Sequence, residues 1–108
     1  MGHDPAGAAA ATLAPHVESI VKRINVDEFT TLEFIDAMQM DPAAKRAFAQ
    51  ALAIIPETDD HRGRMILHGQ IIPDLLRTTG LVEWAGYAYG HDDPHGVPAW
   101  WRKKQKTG

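Results

Sequence analysis

Apolar residues recur along most of this chain at the three- and four-residue spacings of a helix. Only the last third alternates with the period of a strand. Leu13, Val17, Ile20, Val21 and Ile24 form one apolar face, which predicts a first helix ending near Asn25. Pro15 is expected in its first turn, where a missing N–H costs nothing. A second helix opens at Thr30, because Thr30 and Glu33 have the spacing of a capping box and Phe29 and Phe34 that of a hydrophobic staple. Leu32, Ile35, Ala37 and Met38 complete its buried side to about Gln39. Asp41-Pro42 then supplies an N-cap followed by proline for a third helix. That helix runs through Ala44, Ala47, Phe48, Ala51, Leu52 and Ile55 to Pro56, and its alanines predict close helix–helix contact.

Caps for a fourth helix lie in the acidic stretch Glu57 to Asp60, and its apolar residues are Met65, Ile66, Leu67, Ile71, Ile72, Leu75 and Leu76. Pro73 falls inside it, so the helix must either bend there or split at a turn near Gly69. Gly80 is a natural C-terminal cap. Beyond it, residues 81–89 and 97–103 read as the two strands of a hairpin, joined by the polar loop Gly90 to Gly96. Residues 1–11 lack periodicity and are expected to be disordered. Residues 12–104 are expected to form one domain and 105–108 a flexible basic tail. The fold class is therefore mainly α with a small C-terminal β-hairpin.

A chain of 108 residues, 44% hydrophobic and 23% charged, has the composition of a single globular domain. No apolar run approaches the roughly 18 residues a membrane span needs, and Met1 to Ala11 lacks the basic start of a secretory signal. With no cysteine, disulfides, Cys-ligated zinc and thiol catalysis are excluded. The expected compartment is cytoplasmic, with no membrane partner. The net charge of −3 hides an asymmetry: residues 1–60 carry −6 and residues 61–108 carry +3. A basic half points toward a polyanion, although Arg102, Lys103, Lys104 and Lys106 would also serve as a solubilising tail.

The order of these elements resembles the winged helix-turn-helix class, here with an extra N-terminal helix. The likeness rests on Phe29-Thr30-Thr31-Leu32-Glu33-Phe34-Ile35 as the opening of the helix-turn-helix. It rests also on Leu75-Leu76-Arg77-Thr78-Thr79-Gly80-Leu81-Val82-Glu83 as the end of a recognition helix running into a wing, and covers residues 26–104. The resemblance implies that the last helix before the wing enters the major groove of DNA and that the wing meets the backbone or minor groove. The extra length between residues 41 and 60, and Pro73, depart from the pattern.

On that reading Arg62, Arg64, His68 and Gln70 would meet phosphates or base edges, and Arg102, Lys103 and Lys104 would meet phosphates. The plain alternative for the first group is a solvated helix face. Trp100 and Trp101 are adjacent on a strand, so one should face the core and the other solvent. The exposed one would stack on a nucleic acid or anchor a protein. His91-Asp92-Asp93-Pro94-His95 has metal-ligating residue types at a spacing that matches no standard site. It is read as turn chemistry at the wing tip, with no metal and no cofactor expected, and a metal-dependent activity at this loop is a third reading. No catalytic motif is present, and Ser19 lies on a helix without a histidine motif nearby, so no enzyme is expected. The expected function is that of a small DNA-binding protein, a transcription regulator or accessory factor. The alternative is a protein-interaction module on the same fold. A homodimer through the first helix is a further expectation.

Overall fold

A computed structural model describes residues 5–55, 59–91, 93–96 and 98–104. The elements are α1 (Pro5–Arg23), β1 (Glu28–Thr30), α2 (Thr31–Gln39), α3 (Pro42–Ile54), α4 (Asp60–Ile66), a π-helical segment (Leu67–Ile71), α5 (Ile72–Thr78), β2 (Val82–Tyr87) and β3 (Ala99–Lys103). The fold is mainly helical, with a small antiparallel sheet of strand order β1-β3-β2.

Helix α1 starts at Pro5, so residues 5–11 are helical rather than disordered, and Pro15 lies within the helix on its exposed side. The small residues that hide periodicity here are what allow close approach: Ala9 is fully buried with Leu13, Val17, Ile20 and Val21. This face packs on α5 and chiefly on α3, whose Ala44, Ala47 and Ala51 are buried in turn. The apolar stripe of α1 is thus buried inside the chain. Residues 1–4 and 105–108, for which disorder and a basic tail were expected, lie outside the described residues.

The start of α2 follows the sequence closely. Thr30 Oγ1 accepts from Glu33 N at 3.1 Å, and Thr30 N donates to Glu33 Oε1 at 2.8 Å. The rings of Phe29 and Phe34 stack with centroids 6.0 Å apart. Phe29 and Thr30 also belong to β1, so the expected hairpin is instead a three-stranded sheet. Helix α3 ends at Ile54, and Ile55 adopts the extended ψ of 123° that a following proline favours. Pro56 to Thr58 are outside the described residues.

The fourth helix does not break at Gly69. It passes through the π-helical segment, where Ile72 N–H donates to Leu67 O, five residues back. A proline at 73 has no N–H to donate, and in an α-helix its ring collides with the preceding turn. Widening that turn removes the conflict. Helix α5 then closes at Gly80, whose φ of 71° is left-handed and whose N–H reaches Arg77 O at 3.2 Å.

Strand β3 is central. Phe29 and Trp84 both sit opposite Trp101. Trp101 is fully buried, and its indole N–H donates to Thr31 Oγ1 at 2.8 Å. Between Trp84 and Tyr87 strand β2 carries a bulge, with Gly86 at φ 107°. Three steps along β2 match two along β3. The extra residue brings Trp84 and Tyr87 to the same side of the sheet, and their rings meet edge to face at 5.3 Å.

Replacing Thr31 with Val leaves the indole N–H of Trp101 buried without an acceptor. The expected cost is about 1–3 kcal/mol, read as a lower urea midpoint at unchanged m-value. Thr30→Ala, which removes one half of the capping box, is expected to cost about 1 kcal/mol by the same measurement.

Candidate functional site

Three histidines meet where the β2–β3 loop folds back on α4 and the π-helical segment. Helix α4 is capped by Asp59, whose Oδ1 accepts from His61 N at 2.9 Å. In the loop Asp93 Oδ1 accepts from His95 N, also at 2.9 Å. Both histidines therefore stand two residues after an aspartate that holds their backbone N–H. The His61 and His95 Nδ1 atoms lie 3.1 Å apart. The His95 ring stands between those of His61 and His68, with both centroid distances at 5.1 Å.

His68 is the buried member. Its Nδ1 lies 3.1 and 3.2 Å from the two carboxylate oxygens of Asp93, and both side chains are almost wholly enclosed. Burial, the largest influence, pushes the His68 pKa below the ordinary 6.5, against the raising effect of the hydrogen bond and charge of Asp93. His95 and Arg64 lower it further. The favoured state is a neutral imidazole with Nδ1–H donated to the carboxylate. Such a ring keeps its Nε2 lone pair available as an acceptor.

Two open cavities flank this cluster. One, of about 490 Å³, lies between the outer face of α4 and the loop, and is lined by Arg62, Met65, Ile66, Gly69, Gln70, His95 and Gly96. The other, of about 340 Å³, lies under the β2 edge of the sheet. There His68, Pro73 and Arg77 face Trp84, Tyr87 and Trp101. The Arg77 guanidinium lies 5.4 Å from the centroid of the Trp101 ring.

The residues expected to contact DNA separate on this surface. Arg62 and Gln70 are exposed and share the first cavity. His68 does not join them, because it is 5% exposed and engaged with Asp93. Arg64 is half-buried and donates to Asp60 at 2.8 Å. Arg102 pairs with Glu28 at 3.0 Å, and the ammonium of Lys103 is bound to the carbonyl of Ile24. Lys104 is exposed. Among the described residues, Arg62 and Lys104 are the two of these bases without an ion pair or side-chain hydrogen bond.

Trp101 belongs to the core, so it is not a docking residue. Trp100 is half-buried, with its ring 5.0 Å from that of His91. The exposed aromatic surface lies instead on β2 and beyond it: Trp84, Tyr87 and Tyr89 are 49%, 54% and 87% exposed. Alternation alone does not find it, since the bulge shifts the phase. The His91 ring packs on Trp100, and Asp92 lies outside the described residues. Among the described residues, no group of three or more His, Asp or Glu is arranged to hold a metal ion. No helix among them is long and apolar enough to cross a membrane.

The lowered pKa of His68 fixes the sign of a pH effect. Below pH 6.5 the unfolded chain takes up a proton at this residue while the folded chain does not. Stability is therefore complete above about pH 6.5 and falls as the pH drops toward the folded-state value. Urea midpoints at successive pH values from 7.5 downward should decline in this window. In His68→Asn the decline should be shallower, whatever its overall stability. No protein-family model, curated protein or solved structure matches this chain.

Proposed function

We propose that this chain is a winged-helix DNA-binding protein. Its surface for duplex DNA would be the face of α4 and the π-helical segment that carries Arg62 and Gln70, together with the β2–β3 loop as the wing. The observation that carries this reading is the folded-back loop. Asp93 ties it to His68, which leaves a groove between the exposed helix face and His95-Gly96. The sheet order β1-β3-β2, with helices between the first two strands of the sequence and a loop between the last two, supports the same reading.

Arg62 at the helix start has the reach for a guanine edge or a phosphate, and Gln70 for an adenine. The internal pairing of Arg64, Arg102 and Lys103 limits the number of phosphates the surface can neutralise. The salt dependence should accordingly be modest for a DNA-binding domain.

A second reading, docking of a protein partner, is favoured by the aromatic patch of Trp84, Tyr87 and Tyr89, since aromatic residues are enriched among binding hot spots. On this reading the contact would be made by the β2 side of the sheet.

The two readings separate in one experiment. Anisotropy of a labelled random duplex is measured at about 50 and 200 mM salt. DNA binding predicts affinity that falls with salt, and a slope of log K on log salt that drops by about one in Arg62→Ala. Trp84→Ala should leave that binding unchanged. Absence of binding at the lower salt would overturn the DNA reading. Capture of a partner that depends on Trp84 and not on Arg62 would favour docking.

A further inference from the structure

We infer that His61 and His95 form a binding site for a divalent first-row transition-metal ion, which clips the β2–β3 loop to the start of α4. This inference stands independently of the DNA reading. Two nitrogens 3.1 Å apart, each about 2.0–2.1 Å from a shared ion, subtend roughly 100° at it. That angle lies between those of square-planar and tetrahedral coordination, so the spacing of the two Nδ1 atoms suits one shared ion once the rings turn their lone pairs toward it. Without an ion, one Nδ1 must carry a proton and donate it to the other. A metal lets both lone pairs be used, with the proton of each neutral ring on Nε2.

The site is positioned from both sides. Asp59 fixes the His61 backbone and Asp93 the His95 backbone, through matching bonds of 2.9 Å. Asp93 also receives Nδ1 of the buried His68, so the loop is anchored where a mobile loop would have to be ordered by the ion itself. These bonds fix the two backbones, so the rings stand near each other before any ion binds. His61 is exposed and His95 half-buried, so the pair is open to solvent, which completes the coordination sphere. Imidazole nitrogen suits zinc, cobalt, nickel and copper over calcium or magnesium.

The test uses the full chain carrying His3→Ala, which removes a histidine near the N-terminus as a competing ligand. Calorimetric titration with Zn²⁺, repeated with Co²⁺, should give saturable one-to-one binding, and the thermal unfolding midpoint should rise with Zn²⁺. Ring nitrogen shifts in the NMR spectrum should mark Nδ1 of His61 and His95. Loss of an outer-layer partner costs ten- to a hundredfold, so His61→Ala and His95→Ala should each weaken binding at least about tenfold. His91→Ala should leave it unchanged. The exposure of His61 makes its replacement compatible with folding, which circular dichroism would verify. No saturable binding, or binding that survives both His61→Ala and His95→Ala, would overturn the site and leave a hydrogen-bonded imidazole pair only.

Discussion

The fold depends on the placement of one side chain, Trp101, in the middle strand of the sheet. Strand β3 arrives last in the chain, yet it lies between β1 and β2, which cannot reach each other without it. Trp101 makes that position tenable. Its ring closes the core beneath the sheet, and its indole N–H is satisfied by Thr31 in the first turn of α2. Arg77 approaches it from α5. One residue therefore joins the two outer strands, the second helix and the last helix. The partner of its indole N–H is 70 residues away, so closing that contact costs loop entropy that only a fully formed core offsets.

A polar counterpart occurs at the other end of the last helices. The buried His68–Asp93 pair gives the β2–β3 loop a fixed position on the π-helical segment, although much of that loop has little apolar surface to bury. Such a pair contributes less net energy than an apolar contact of equal size, because both groups give up water. What it supplies is register: the carboxylate must lie where Nδ1 points, and the loop goes with it. The same economy governs the cations. Arg64, Arg77 and Arg102 are each matched to a nearby acid, so among the described residues of this locally basic stretch few positive charges stand free.

What could be read from the sequence was whatever is decided locally. The Thr30–Glu33 box, the Asp41-Pro42 start of α3 and the Gly80 stop each involve residues within a turn of one another, and each stands as expected. Strand β1 was not legible, because three residues carry no period and their partners lie far along the chain. The helical start of α1 was hidden by alanines, which pack well but give a weak apolar signal. Alternation implied that Trp100 and Trp101 part ways without saying which faces inward. The His61–His95 pair, 34 residues apart, left one local trace: each histidine follows an aspartate by two positions, a spacing with meaning only once the loop has folded onto the helix.

The π-helical segment has a consequence for how the chain tolerates insertion and deletion. An α-helix turns by about 100° per residue, so one extra residue in a single turn rotates everything beyond it by that amount. The faces of α4 and α5 are thus phased separately, although the backbone between them is continuous. Shortening Leu67–Ile71 by one residue would restore an ordinary helical repeat on paper. It would also swing Leu76 and Ile72 out of the core and force Pro73 into a turn that has no room for it. The two halves of the last helix behave as a keyed joint, in which the proline forbids the more regular alternative.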